Sequence, residues 1–306
     1  MNSRTPLILG LICLALGVFI WKFESRWKST DQRNTVARRV FPELEREAVD
    51  RIEIRTPEHT VWLRREGEKW MIEKPVKFAA DLAAVNDLLT QVEFMERVES
   101  FDVKNVDKDL EQYGLHSARS VMRMSWKDKK EAIELRQGKD TGIGSRAYAQ
   151  VQKGSREVQV IPRGVFDLME KPVDDWRDRT VAAFDPDNAK GLTLVRAGKE
   201  TELQRKDGTW HLMRPVLARA SATAVDKWMQ ALRALRVSKF VAKDASDLKA
   251  FGLDDPALRL GVKLNGAKDV TVHFGAASTN DPGSLYARRT DLEALVFTVP
   301  ESAGKE

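Results

Sequence analysis

Apolar and polar residues alternate along the chain in short runs that predict β-strands. Ile52 and Ile54 are separated by the charged Glu53, and Trp70 and Ile72 stand at the same spacing of two after a turn at Gly67. Successive side chains of a strand point to opposite faces, so a period of two is typical of strands that bury one face. Further runs of this kind predict strands at residues 61–63, 121–126, 132–135, 147–151 and 158–161.

A different spacing follows the strand that contains Trp70. Apolar residues recur every three or four positions from Leu82 to Met95, which places them on one stripe of a helix. Asp81 stands at the expected N-cap of this helix. The pattern predicts a module of about three strands, one helix and four further strands, followed by a tail helix over residues 165–169.

The whole pattern occurs twice. Trp70 recurs as Trp210, which is 210 − 70 = 140 residues later, and Tyr113-Gly114-Leu115 recurs as Phe251-Gly252-Leu253. Such self-similarity at a fixed spacing is typical of repeated structural units. The residues that define the repeat, and that we expect in the core of each copy, are Trp70, Pro75, Gly114, Trp210, Pro215 and Gly252.

The predicted fold class is α+β. We expect an N-terminal transmembrane helix followed by two tandem copies of a mixed strand and helix module with antiparallel sheets. The expected boundaries are residues 1–28 for the membrane anchor, 29–48 for a linker, 49–183 for the first module and 184–306 for the second module, which lacks the tail helix. Residues 184–190 are rich in turn formers, which favours a boundary there.

The membrane anchor is predicted from residues 7–21, which contain no polar side chain. Fifteen helical residues cover about 22 Å, and Trp21 at the interface with Lys22 reaching the headgroups extends the segment toward the ~30 Å hydrocarbon core. A cleaved signal peptide is the alternative, but bulky and charged residues follow and no small-residue cleavage site is present. Lysines and arginines lie on both sides of the segment. The signal-like layout therefore decides the predicted orientation, with the soluble part on the outer side of the membrane.

Composition narrows the function classes. The chain has 51 basic and 46 acidic residues, interspersed along its length. A nucleic-acid-binding protein usually concentrates basic charge on one element, so nucleic acid is not an expected partner. The single cysteine, Cys13, lies in the apolar N-terminal segment, which excludes disulfides and cysteine-based zinc sites from the rest of the chain.

No motif predicts a catalytic, cofactor-binding or metal site. The histidines show no metal-binding spacing. The glycine-rich segment 138–145 places Lys139 too early for a phosphate-binding loop, so a hairpin loop is the better interpretation, and Ser145 has no histidine nearby. Trp70 and Trp210 are expected in the core, although stacking platforms for sugars are an alternative. The candidate interaction surface consists of Tyr148, Arg146, Tyr286 and Arg288.

The order W-x-[IL]-x-x-P-V, then Ala-Asp before an apolar helix, then Tyr-Gly-Leu and a late Arg-Asp-Arg resembles the bacterial domain-of-unknown-function family DUF4340. The second copy departs from it at Ser221, where the first has Asp81, and either residue can cap a helix. Members of that family are often encoded beside ABC-type transporter subunits and gliding-motility auxiliary proteins. The resemblance implies an envelope accessory or interaction protein without a known active site. A module that binds cell-wall glycan and a hydrolase with an unrecognised site stay as alternatives.

Overall fold

The structure, a computed structural model, describes Phe19 and residues 35–127, 132–242, 247–292 and 295–304. The chain divides into two compact units between Arg177 and Asp178. We call them the first unit and the second unit. Each is built on one nine-stranded sheet, and each sheet has the same strand order.

The sheet of the first unit is antiparallel throughout. Its strands are β1 Val49–Arg55, β2 Thr60–Glu66, β3 Lys69–Lys74, β4 Phe78–Ala79, β5 Glu99–Asp102, β6 Ser120–Trp126, β7 Ile133–Asp140, β8 Arg146–Val151 and β9 Glu157–Pro162. Their order across the sheet is β4-β3-β2-β1-β6-β7-β8-β9-β5. Strands β1 to β4 and strands β6 to β9 therefore form two blocks of the sheet, which meet where β1 pairs with β6.

Helices of the first unit lie between and after these strands. They are α1 Leu82–Glu93, α2 Val106–Gln112 and α3 Gly164–Met169, with 3-10 helices at Arg46–Ala48 and Val173–Trp176. The carboxylate of Asp81 accepts a hydrogen bond from the backbone N–H of Ala84 at 3.0 Å, which confirms the predicted N-cap of α1. The buried stripe of α1 packs with the sheet and with α3 in one main core.

The second unit repeats this arrangement. Its strands are β10 Ala189–Arg196, β11 Lys199–Lys206, β12 Thr209–Arg214, β13 Ala218–Arg219, β14 Phe240–Ala242, β15 Leu258–Leu264, β16 Val270–Ala277, β17 Ser284–Arg289 and β18 Val296–Pro300. Its helices are α4 Ala222–Ala234 and three 3-10 helices, Pro186–Asn188, Leu248–Phe251 and Glu301–Gly304. The predicted α+β class and the two tandem modules with antiparallel sheets are confirmed.

Each sheet has two more strands than the pattern predicted. The additional strands are β4 and β5 in the first unit and β13 and β14 in the second. They contain two to four residues and stand at the sheet edges, where an alternating pattern is too short to recognise. The remaining strands lie where the alternation predicted them, and the tail helix begins one residue earlier than predicted, at Gly164.

Both units begin upstream of the boundaries drawn from the sequence. In the first unit, the backbone N–H of Val40 donates to Met95 O at 2.9 Å. Three side chains of the segment assigned to a linker lie in the main core, namely Val40, Phe41 and Leu44. In the second unit, the N–H of Val237 donates to Arg179 O at 2.8 Å. Each repeat therefore starts with a segment that pairs with the chain just after its long helix.

The predicted membrane anchor, residues 1–28, lies outside the described residues except for Phe19. Within the described part of the chain, no helix combines the length and the apolar character needed to cross a bilayer.

Candidate interaction surfaces

The repeat tryptophans are buried at equivalent positions of β3 and β12. Trp70 is 2% exposed and Trp210 is 5% exposed. The guanidinium of Arg65 lies 5.0 Å from the ring centroid of Trp70, which covers that ring further. Pro75 and Pro215 follow cis peptide bonds at the ends of the two strands, and both are exposed. The prediction that these two prolines lie in the core is wrong, because they stand in the bends that leave β3 and β12. The tryptophans are core residues, as expected, and present no stacking face to a sugar.

In each unit, one pair of glycines allows two segments of the chain to cross in close contact. Gly114 and Gly252 adopt φ of 72° and 65°, a region that favours glycine. A Cβ atom at Gly138 would lie 2.3 Å from Tyr113 O, and one at Gly275 would lie 2.2 Å from Phe251 O. The Tyr/Phe-Gly-Leu element therefore lies directly against β7 and β16, which explains why Gly114 and Gly252 belong to the repeat.

The predicted tyrosine surface is an internal contact. The rings of Tyr113 and Tyr148 lie 4.8 Å apart, and those of Phe251 and Tyr286 lie 5.0 Å apart. Tyr286 is 5% exposed, and Tyr148 is half-buried in a small cluster on the sheet face opposite the main core. The prediction that Tyr286 offers its ring to a partner is wrong, because the Phe251 element covers that ring.

The two arginines of that predicted surface are in different environments. Arg146 begins β8 and is exposed, whereas Arg288 lies within β17 and is half-buried. Arg288 is opposite His273 in the sheet register, and His273 is opposite Arg259. Burial lowers the pKa of His273, and the charges of Arg288 and Arg259 lower it further. The structure thus places the imidazole of His273 between two cations.

No cluster of catalytic type is found among the residues that the structure describes. These residues contain no group of three or more His, Cys, Asp or Glu side chains placed to hold a metal ion. Residues 141–145 connect β7 to β8, which confirms the hairpin interpretation of the glycine-rich segment. Within it, Thr141 donates a backbone hydrogen bond to Arg146 O at 2.9 Å.

An open apolar groove lies in the second unit between α4 and the sheet. Its volume is about 390 Å³, and the 3-10 helix after β18 forms one end of it. The apolar side chains that line it are those of Trp228, Ala231, Leu232, Ala234, Leu235, Val237, Leu260, Phe274, Pro300 and Ala303. Trp228 and Leu235 are half-buried, and Ala231 and Ala234 are exposed.

The corresponding position of the first unit is occupied by α3. This helix contacts α1 and β6, which are the repeat equivalents of α4 and β15. Its four apolar side chains are all buried, namely Val165, Phe166, Leu168 and Met169. A Cβ atom at Gly164 would lie 3.2 Å from Gln91 Oε1, so the start of α3 lies directly on α1. The groove of the second unit is therefore the position that α3 occupies in the first.

A row of buried residues crosses each sheet beneath the helices, and the two rows differ in polarity. In the first unit the register places Ser120, Gln137, Ala149 and Gln159 side by side. In the second unit the equivalent row is Leu258, Phe274, Ala287 and Phe297. Both ends of the Gln137 amide are buried without a hydrogen-bond partner. The first unit therefore keeps polar groups where the second has an apolar floor.

A second cavity, of about 370 Å³, lies in the first unit, and its lining includes five cations, namely Arg55, Arg119, Arg123, Arg136 and Lys153. Its one carboxylate is Glu134, which accepts hydrogen bonds from Arg136 at 2.9 Å and Arg123 at 2.8 Å. Burial raises the pKa of Glu134, but the bonds from Arg136 and Arg123 outweigh it and leave that pKa below its usual value. The lowered pKa favours the carboxylate form of Glu134, which is paired with these two arginines.

A protein-family model described as "Domain of unknown function (DUF4340)" matches residues 70–215 and again residues 210–306. The chain belongs to this family. The two DUF4340 matches begin at Trp70 and Trp210, the same 140-residue shift that the repeat shows. No curated protein and no solved structure matches the chain.

Sequence reasoning missed the groove of this DUF4340 chain and the polar row. A signal for both was present. Aligning the two copies places Gln137 against Phe274 and Gln159 against Phe297, and it places Val165 and Phe166 of the tail helix against Ala303 and Gly304. These differences between the copies mark the positions where the two units differ, in the buried row and in the groove above it.

Proposed function

We propose that this DUF4340 chain is a membrane-anchored accessory protein that binds an envelope protein partner without catalysing a reaction. The partner is a subunit of an ABC-type transporter or of a gliding or export complex. The apolar segment 7–21 would hold the chain in the bacterial inner membrane, with the soluble part in the periplasm. The family resemblance supports this assignment, because members are often encoded beside such subunits.

The observation that carries the proposal is the open groove beside α4. Large apolar side chains that remain accessible in a concave surface are typical of protein-binding sites. Trp228 and Leu235 in particular are only half-buried, whereas their repeat equivalents Leu88 and Met95 are buried in the first unit. A partner would complete the burial of this surface.

The alternative role in binding cell-wall glycan requires aromatic side chains at the surface. Trp70, Trp210 and Tyr286 are buried, so these aromatics do not support it. The alternative role of a hydrolase likewise has no support at the histidines. His273 lies between two arginines, and His59 lies 3.3 Å from the hydroxyl of Thr56 through Nδ1.

Affinity purification of the full-length chain from gently solubilised native membranes tests the proposal. The expected result is near-stoichiometric recovery of a transporter, export or motility subunit. An unrelated single-pass membrane protein, tagged and expressed at the same level, serves as the control. Recovery of the chain alone, at good yield and in several mild detergents, would contradict the proposed role.

A further inference from the structure

The groove of the second unit retains most of the apolar wall that α3 covers in the first unit. Leu88, Val92 and Met95 of the first unit correspond to Trp228, Leu232 and Leu235 at a shift of 140 residues. The first three are buried, whereas Trp228 and Leu235 are half-buried. The wall is therefore apolar in both units. It is more exposed in the second unit because no described residue there takes the place of the full helix α3.

The second unit has small residues where α3 has large ones. Ala303 stands at the position of Val165, and Gly304 stands at that of Phe166. Residues Glu301–Gly304 form a 3-10 helix whose Ser302 and Ala303 reach only the end of the groove. The space of about 390 Å³ is what remains.

The floor of the groove is also suited to an apolar occupant. Phe274 and Leu260 lie in the groove lining, and both are more than nine-tenths buried. In the first unit the residue at the position of Phe274 is the polar Gln137. The second unit therefore has the more apolar floor, although in the structure its groove is the open one. Open apolar surface is disfavoured in water, so this arrangement favours an occupant.

The charges at the end of the long helix indicate the polarity of that occupant. Glu93 and Glu96 of the first unit are replaced by Arg233 and Arg236 in the second. Both arginines are exposed, and Arg236 lines the groove. A helix with acidic residues beside its apolar stripe would match this basic rim, as opposite charges across an interface favour association.

We propose that the groove of the second unit binds a short amphipathic helix of the partner protein, apolar on one face and acidic at its flanks. The helix lies between α4 and β15, as α3 lies between α1 and β6. This inference rests on the proposed function, since it names the part of the partner that is recognised. Recognition of this type places apolar anchors of a helix into a hydrophobic groove.

A peptide with the sequence of residues 164–170 is the probe, because it is the internal helix that fills the equivalent site. Its sequence GVFDLME supplies the apolar stripe and two acidic residues. Binding of the fluorescent, end-capped peptide is measured by fluorescence polarisation against the purified full-length chain in lipid nanodiscs. Saturable binding is expected, and it should be lost when Phe166 of the peptide is replaced by Asp.

Two variants of the chain locate the binding. Ala231→Glu places a charge on the exposed rim of the groove and should weaken peptide binding at least tenfold. Ala224→Glu is the matched control on the same helix, where Ala224 is exposed and does not line the groove. A glutamate at this third position after the Ser221 cap is favourable for a helix, so the control should fold and bind as the wild type does.

Absence of saturable binding, or equal binding to the Ala231→Glu chain, would overturn the inference. Self-association of the chain that the Ala231→Glu substitution abolishes would overturn it too, since the occupant would then be a second copy. The peptide measurement uses the purified chain alone. It therefore succeeds or fails independently of whether any envelope protein co-purifies from membranes.

Discussion

Phe274 of β16 occupies the position that Gln137 occupies in β7, and both side chains are almost completely buried, at 2% and 0% exposure. The two strands have equivalent neighbours, since β7 lies between β6 and β8 and β16 lies between β15 and β17. The phenyl ring meets apolar neighbours, whereas both polar atoms of the Gln137 amide lack a hydrogen-bond partner in the described structure. The first unit thus has a polar side chain, Gln137, at a buried position where the second unit has the apolar Phe274.

Replacing Gln137 by leucine should stabilise the first unit. The substitution keeps the approximate volume and removes two buried polar atoms without partners, each of which costs about 1–3 kcal/mol when it remains unsatisfied. We expect the free energy of unfolding to rise by about 1 kcal/mol or more. Urea denaturation of the purified chain measures the change.

Gln150→Leu is the matched control for that substitution. Gln150 is also buried, but its Nε2 donates a hydrogen bond to Ser155 O at 2.7 Å. The control should therefore lose stability, because the carbonyl of Ser155 loses its donor. If Gln137→Leu loses stability as Gln150→Leu does, the assignment of Gln137 as unsatisfied is refuted.

Gly275→Ala should destabilise the second unit strongly. The added Cβ would lie 2.2 Å from Phe251 O, a backbone atom that cannot move away cheaply. Overpacking of this kind costs about 1–3 kcal/mol, and we expect the upper end of that range. Gly261→Ala in β15 is the control, since its Cβ would find its nearest neighbour at 3.7 Å. Equal stability of the two variants in urea denaturation would contradict the close crossing.

The second unit should lose stability as the pH falls below about 6.5, the ordinary pKa of histidine. The folded-state pKa of His273 is lowered by burial, Arg288 and Arg259. The unfolded chain then binds a proton more readily than the folded chain, so stability falls as the pH drops from the unfolded pKa toward the folded one. Denaturation at pH 7.5 and pH 5 measures this loss.

His273→Gln removes the titrating group and should reduce that pH dependence. Arg288→Gln removes one of the two cations, so it should move the pKa of His273 back toward its ordinary value. NMR titration of the histidine reports this shift directly. A pKa of His273 that is unchanged by Arg288→Gln would show that the register contact does not carry the electrostatic effect.

The proposed orientation predicts the accessibility of the loop between β7 and β8. Ile143 is 83% exposed there, and Cys13 is the one native cysteine. In a Cys13→Ser background, an Ile143→Cys variant should react with a membrane-impermeant maleimide in intact spheroplasts. Labelling that requires prior disruption of the membrane would place the soluble part in the cytoplasm and refute the proposed location.

The repeat, the long helices and the central strands could be predicted from the sequence, because they follow hydrophobic periodicity and fixed residues such as Trp70 and Trp210. The edge strands and the closely packed tyrosines could not. Tyr148 is flanked by the small buried residues Ala147 and Ala149, and Tyr286 by the half-buried Leu285 and the buried Ala287, patterns compatible with an exposed ring. Tyr286 is buried by residues outside its own strand, namely Phe251 and Leu253 of the Phe-Gly-Leu element together with Val296. The groove could not be predicted either, because it is the position that α3 occupies in the first unit and that no described residue of the second unit fully occupies.

The central claim is that the groove beside α4 holds a protein partner. Its most direct test compares co-purification from native membranes by the wild-type chain, the Ala231→Glu chain and the Ala224→Glu chain, with quantitative mass spectrometry of the recovered proteins. The account predicts that one envelope protein is recovered with the wild type and the Ala224→Glu control and is depleted at least tenfold with Ala231→Glu. Equal recovery with all three chains would show that the partner binds elsewhere and would contradict the claim.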